Sequence, residues 1–208
     1  MIAKELLDAW VKAQDGERKF HCDPDAYTMT LAERRQREHA QRSMYAGLMR
    51  TSESAGSVTD IGCGPQSLLL LDPPRPLFQR VAVDPLRFSD DDEQAYADHG
   101  ISRVIAPAEQ YEGPSTDEVW MYNCLQHTID PQQVLQTVCR HATKTIRLFE
   151  WTNVPTDHLH LHLITANMIK EQLLANHFKQ HFAVEGIMHD GGYPTKFYAA
   201  VWQRNTPT

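Results

Sequence analysis

The 208-residue chain has no apolar run of membrane-spanning length, so no bilayer-crossing helix is expected. A basic excess is missing too: 20 Lys and Arg against 27 Asp and Glu give a formal net charge of −7. That balance argues against a general nucleic-acid or membrane-surface binder, because such proteins present surplus positive charge. Cysteine is scarce. Cys22, Cys63, Cys124 and Cys139 lack the close spacings of a zinc site or redox motif and are expected to be reduced thiols. No internal repeat or low-complexity segment is present. The opening stretch, MIAKELLDAWVK, is amphipathic and charged rather than signal-like, so a cytoplasmic protein is expected.

The composition that remains, 41% hydrophobic and 23% charged, suits one well-buried domain with terminal additions. The first fifty residues carry helical spacing. Leu6, Leu7, Trp10 and Val11 form an apolar stripe, which His21-Cys-Asp-Pro-Asp25 breaks. Thr30-Leu-Ala-Glu33 fits a capping box, and Leu31, Met44 and Leu48 mark a second buried stripe. Arg34, Arg35, Arg37 and Arg42 are expected on a solvated face of that helix. After the polar linker Ser52-Glu-Ser-Ala-Gly-Ser57, short apolar runs at 57–61, 80–84, 103–106, 118–123, 145–150, 183–188 and 196–203 alternate with helical segments. That rhythm predicts an α/β domain with a mainly parallel sheet. The expected organisation is a helical cap over residues 1–56 and a core over 57–208.

Between the strands, Ser89 caps a helix whose acidic first turn, Asp90-Asp-Asp-Glu93, complements the helix dipole, and Gly100 ends it. Pro131 opens another helix with Val134, Leu135 and Val138 facing inward, and a third is expected over about 166–178.

The first apolar run ends in Val58-Thr-Asp-Ile-Gly-Cys-Gly-Pro-Gln-Ser67. In open α/β sheets a ligand sits beyond the carboxyl ends of the strands, and glycines in the first turn admit it close to the backbone. Gly62 and Gly64 give that access. The second strand ends Val81-Ala-Val-Asp84, twenty residues after Gly64, where an acid can accept hydrogen bonds from ribose hydroxyls. A nicotinamide dehydrogenase would keep a third glycine, where Gln66 stands. A P-loop would need Gly-Lys-Ser/Thr, which is absent.

Over roughly 57–203 these motifs, in this order, resemble the class I S-adenosylmethionine-dependent methyltransferases. The resemblance implies a Rossmann-like seven-stranded, mostly parallel sheet whose last strand, 196–203, is the antiparallel edge strand. It implies S-adenosyl-L-methionine as cofactor and S-adenosyl-L-homocysteine as product. Asp60, Gly62 and Gly64 match the residues around the methionine moiety, and Asp84 matches the ribose-binding acid. Ala106-Pro-Ala-Glu109 is similar to the adenine-bordering loop, placing Ala108 and Glu109 there. Pro107 replaces an acid common at that point, which leaves backbone contact. Tyr122-Asn-Cys-Leu-Gln-His-Thr-Ile-Asp-Pro131 resembles the fourth-strand motif of small-molecule members and brings in Asn123.

Three catalytic candidates follow. His127, just past the fourth strand, is either a base for a hydroxyl acceptor or a brace of its loop, and the brace is expected. Glu150 ends the fifth strand, where it meets a substrate amine or hydroxyl or caps the next segment. His162 belongs to Asp157-His-Leu-His-Leu-His-Leu163, whose strict alternation would place His158, His160 and His162 on one face. That geometry is compatible with a metal, but pocket and loop histidines without one are expected.

Asp72-Pro-Pro-Arg75 has letters of the Asp-Pro-Pro-aromatic motif of amino-methylating DNA enzymes, yet precedes the second strand. Asn123-Cys-Leu-Gln126, in the motif's proper place, lacks the prolines and the aromatic platform for a flipped base. Cys124 follows Asn rather than Pro, so base-carbon methylation is unsupported as well. The expected partner is a small-molecule hydroxyl or amine acceptor, with no membrane. The alternatives are an RNA or nucleotide methyltransferase using the Arg34–Arg42 face, and a catalytically silent cofactor-binding protein. Nothing in the sequence speaks to oligomeric state.

Overall fold

The computed structural model describes residues 4–51, 56–71, 78–190 and 193–205. Segments 52–55 and 72–77, which include most of the polar linker and the Asp72-Pro-Pro-Arg75 stretch, lie outside the described residues. Two helices, α1 (Lys4–Cys22) and α2 (Leu31–Met49), precede the sheet. Then come β1 (Val58–Ile61), β2 (Arg80–Asp84), α3 (Asp90–Asp98), β3 (Ser102–Ile105), β4 (Thr116–Tyr122), α4 (Pro131–His141), β5 (Ala142–Thr152), α5 (Ala166–Ala175), β6 (Phe178–Asp190) and β7 (Tyr193–Arg204). The seven strands lie in the order β3-β2-β1-β4-β5-β7-β6. Strands β1 to β5 pair in parallel, and β7 runs antiparallel to both its neighbours.

Each central strand is buried on both faces, as helices above and below a parallel sheet require. Along β4, Val119 and Met121 join the apolar layer beneath α4 and α5, while Trp120 and Tyr122 join the layer beneath α2. Burying each such side chain contributes roughly 1.5–3 kcal/mol. The caps form as their sequences predict. Thr30 and Glu33 make a reciprocal box, Ser89 and Asp92 another, and Asp130 accepts from the amides of Gln132 and Gln133 ahead of α4.

Four expectations are corrected. The edge strand is β6 rather than β7, which inserts between β5 and β6. The third helix stops at Ala175, because His177 takes a left-handed conformation and Phe178 already opens β6. On α1, Leu7 and Val11 are exposed while Ala13 and Gln14 are buried. The helix therefore docks through the face of Trp10, Ala13 and Gln14, and Leu7 and Val11 lie outside it. On α2 the fully buried residues are Arg34, Tyr45 and Met49, while Met44 and Leu48 of the expected stripe pack half-buried against the same core layer. Tyr45 stacks on Phe149 at 4.0 Å, and Arg147, paired with Glu118, donates to the Met49 carbonyl at 2.6 Å. Among the described residues, no helix is long and apolar enough to cross a membrane.

Candidate active site

At the carboxyl ends of β1, β2 and β4, a cavity of about 210 Å³ opens between the sheet and the N-terminal helices. Its sheet wall begins at the glycine turn. Gly62 and Gly64 have φ of 68° and 60°, a region that costs other residues strain. A Cβ on Gly62 would lie 2.4 Å from Cys124 Cβ, and one on Gly64 would lie 2.9 Å from Arg42 Nη2. The turn is held from behind: Gly62 N–H donates to the Val83 carbonyl at 2.8 Å, and Tyr96 Oη donates to the Gly64 carbonyl at 2.6 Å.

Asp84 receives the amides of Gly64 at 3.0 Å and Leu86 at 2.9 Å, one on each oxygen. A carboxylate oxygen has two lone pairs, so each keeps one for a ligand hydroxyl. Burial pushes the Asp84 carboxyl up, and the Leu86 and Gly64 amides pull it partly back. Beyond β3, Pro107, Ala108 and Glu109 line the cavity. The Glu109 carboxylate reaches across to the amides of Ile129 at 2.7 Å and Asp130 at 2.9 Å, tying this loop to the start of α4. Asn123, at φ 53°, closes the wall after β4.

Of the residues that sequence singled out, His127, Gly62, Gly64, Asp84, Ala108, Glu109 and Asn123 line this one cavity, whereas Asp60, Glu150 and His162 do not. Asp60 is buried behind the turn, where its Oδ2 accepts from Ser67 Oγ at 2.5 Å and its Oδ1 has no hydrogen-bond partner. Burial raises its carboxyl to about 6. Glu150 is wholly buried, and its Oε1 receives the amides of Cys124 at 3.1 Å and Leu125 at 3.3 Å. Burial raises it to about 8, so it is mostly protonated at neutral pH and positions the loop after β4 from behind. His162 turns to the carbonyls of Thr128 at 2.9 Å and Ile129 at 3.1 Å.

The histidine-rich segment is not an extended strand. Asp157 Oδ1 accepts from the amides of Leu159 and His160, both at 2.7 Å, and the resulting turn breaks the alternation. His160 pairs with Asp157 while His162 faces the Thr128 loop, so the two diverge. No group of three or more His, Cys, Asp or Glu is placed for a metal among the described residues.

His127 is packed into its loop as well as lining the cavity. Its Nδ1 lies 3.2 Å from the Leu159 carbonyl and 3.3 Å from Glu17 Oε1. Its own carbonyl accepts from Trp10 Nε1 at 3.0 Å and Gln14 Nε2 at 3.3 Å. Burial lowers its pKa, so the imidazole is neutral at pH 7.

The opposite wall comes from α1 and α2: Trp10, Gln14, Glu17, Phe20, His21, Glu38 and Arg42. Sequence reasoning missed these residues. The available signal was the i, i+4 spacing of Glu17 with His21 and of Glu38 with Arg42, which reads equally as ordinary helix surface. His21 is gripped from both sides, Nδ1 to Glu38 Oε1 at 2.7 Å and Nε2 to Glu17 Oε2 at 3.4 Å. Burial pulls its pKa down, and the two carboxylates overcome this and raise it to about 9. Burial likewise pushes Glu17 up, but the imidazoles of His127 and His21 lower it to about 2. With His127 neutral, His21 is the standing counter-charge.

Arg37 is exposed, as expected of a solvated face, but Arg34, Arg35 and Arg42 turn inward instead. Arg34 is buried against Phe20 and Tyr27 and donates to the Asp23 carbonyl at 2.5 Å. Arg35 bridges Glu38 at 3.3 Å and Asp92 at 2.6 Å. Arg42 lies over the glycine turn within reach of Asp60, and its buried Nη1 has no hydrogen-bond partner among the described residues.

No protein-family model matches the chain, and no curated protein sequence does. Solved structures do resemble it. The 1,6-didemethyltoxoflavin-N1-methyltransferase of Burkholderia thailandensis shares 16% identity over 99% of this chain and 92% of its own, with a TM-score of 0.68. The magnesium protoporphyrin IX methyltransferase of Synechocystis PCC 6803 shares 16% over 96% and 91%, with a TM-score of 0.63. The cyclase SpnF shares 12% over 98% and 94%, with a TM-score of 0.61. The chain has the Rossmann-like fold of class I methyltransferases. At these identities the likeness is one of fold, and SpnF illustrates that this fold also carries a protein named for different chemistry.

Proposed function

We propose that the protein is an S-adenosyl-L-methionine-dependent methyltransferase acting on a hydroxyl or amine of a small molecule, with S-adenosyl-L-homocysteine as product. The observation that carries this reading is the pairing of the Gly62–Gly64 turn with Asp84 and an orphaned Arg42 Nη1 at one end of the cavity. Buried donors are rarely left unpaired, and this one fits the carboxylate of a methionine moiety. Asp84 retains acceptor capacity for ribose hydroxyls, and Pro107 and Ala108 offer an apolar border for a purine. When bound, the sulfonium supplies an already activated methyl group. The chain's own task is then to hold the acceptor in line, exclude water and, for a hydroxyl, receive a proton. The second wall, with Trp10 and Phe20, is the surface available for that holding.

Because the fold is shared with a protein named as a cyclase, a second reading is kept, cofactor binding without methyl transfer. The RNA reading loses its support, because Arg34 and Arg35 are engaged inside the protein and Arg42 lies over the glycine turn rather than on the outer face. Calorimetry with S-adenosyl-L-methionine and S-adenosyl-L-homocysteine, followed by transfer of a labelled methyl group to a panel of small acceptors, tests the proposal. Absence of binding to either compound would sink it. Binding without transfer to any acceptor would favour the second reading, and tight salt-dependent RNA binding would revive the third.

A further inference from the structure

The second wall carries acceptor atoms that the protein itself leaves unused. Gln14 is 8% exposed, and its Nε2 donates to the His127 carbonyl at 3.3 Å. That bond fixes the amide's orientation, since only nitrogen can donate to a carbonyl. Its Oε1 is therefore the free end, and no donor meets it among the described residues. Three residues further along α1, Glu17 is similarly underused. Among the described residues its oxygens have only the long contacts to His127 Nδ1 at 3.3 Å and His21 Nε2 at 3.4 Å, although a carboxylate offers about four lone-pair sites. Positions i and i+3 lie on one side of a helix, and both residues line the cavity.

Charge on the lining points the same way. Its acids are Glu17, Glu38, Asp84 and Glu109, and its cations are His21 and Arg42. His21 is already clamped between Glu17 and Glu38, while Arg42 lies by the glycine turn at the other end. An anionic ligand entering beside α1 would meet carboxylate before any free cation. A ligand that donates N–H would meet two waiting acceptors. Trp10 and Phe20, which flank Glu17 along α1 and also line the cavity, offer aromatic surface to a flat or cationic body.

We propose that Gln14 and Glu17, set between the Trp10 and Phe20 rings, form the acceptor-binding pair of this site, and that the acceptor is a small nitrogen base bearing at least two N–H donors. This rests on the methyltransferase reading of the cavity. Glu17 stays ionised across the working pH range, so it favours whichever state of the bound nitrogen carries positive charge. A phenolate or carboxylate acceptor gains nothing from either residue.

The test is a binding measurement that needs no turnover. Benzylamine, benzyl alcohol and benzoate share a body and differ in the group offered to α1. Each is titrated into protein saturated with S-adenosyl-L-homocysteine, and into protein without it, while the Trp10 indole N–H is followed by NMR and identified with Trp10→Phe. Benzylamine is expected to shift that signal and to bind at least about tenfold more tightly than benzoate, the scale of a charge-assisted contact. Glu17→Gln, which keeps the size and removes the charge, should weaken benzylamine about tenfold. Gln14→Met should weaken it by a smaller factor. Both variants should leave S-adenosyl-L-homocysteine affinity within about twofold of wild type.

Preference for benzoate, benzylamine binding unchanged in Glu17→Gln, or no benzylamine binding at all would overturn the proposal. So would a Glu17→Gln variant that loses S-adenosyl-L-homocysteine instead, because Glu17 would then face the cofactor. Failure of wild type to bind S-adenosyl-L-homocysteine is a separate result, and it strikes the methyltransferase reading beneath this one.

Discussion

The two walls of the cavity use carboxylates in opposite ways. On the sheet side, Asp84, Glu109 and Glu150 each accept backbone amides: those of Gly64 and Leu86, of Ile129 and Asp130, and of Cys124 and Leu125. On the helical side, among the described residues, Glu17 and Glu38 meet side chains instead, those of His21, His127 and Arg35. An acid bonded to amides fixes the shape of a loop whether or not a ligand is present. An acid held by other side chains has partners that rotate and titrate, so it can adjust to what enters. The sheet wall is thus a rigid template and the helical wall an adjustable one.

Substitution at Glu150 gives the largest expected test of that contrast. Glu150→Ala strips two buried amides of their acceptor and should cost about 2–5 kcal/mol in chemical denaturation. Glu150→Gln keeps an acceptor oxygen. Its effect should be a change in pH dependence: the folded pKa of about 8 lies above the ordinary 4.5 of a glutamate, so wild type loses stability as pH rises between them, and the Gln variant should not. Next in size, Asp84→Ala should weaken S-adenosyl-L-homocysteine by about 1.5–3 kcal/mol in calorimetry. Unchanged affinity in a folded variant would remove Asp84 from the ligand site.

His127 sits where the walls meet, and His127→Ala should lower thermal stability and cofactor affinity together by about 1–2 kcal/mol, as loss of a brace does. A folded, cofactor-saturated variant lacking both activity and the acidic limb of its pH–rate profile would instead make the residue a base. The last effect is expected at His21 and is read as a pH dependence. Its folded pKa of about 9 exceeds the unfolded 6.5, so its stabilisation is complete below 6.5 and fades as pH rises through 9. Melting temperatures across pH 6 to 10 should lose that part of their decline in His21→Gln. An identical decline would show that the helical wall does not depend on this proton.

The same contrast explains what could be read from sequence. The strands, the Gly62–Gly64 turn, Asp84 and the Asp130–Pro131 helix start are local patterns, and each acts within a few residues or in a fixed place after a strand. Glu17, His21 and Arg42 belong to a wall only because two helices dock at a particular angle, and nothing local encodes that angle. The misplaced solvated face has the same origin. Arg34 and Arg35 look like surface charge until Asp23, Phe20 and Asp92 close around them. The order β5-β7-β6 was likewise invisible to short-range pattern, since a strand's neighbours are chosen by packing across the sheet.

The docking of α2 also sets a schedule for synthesis. Its contacts to Phe149 and Arg147 join residues about a hundred positions apart, the Met49–Arg147 bond spanning 98. A ribosome extends the chain from the N-terminus at roughly 5–20 residues per second, so α2 waits several seconds for β5 to emerge. During that interval Tyr45 and Met49, both buried in the finished fold, have no sheet to cover them. Contacts of such long sequence separation also slow folding, because loop closure must precede the gain from burial. The helices translated first therefore complete their wall only after the sheet beneath them has formed.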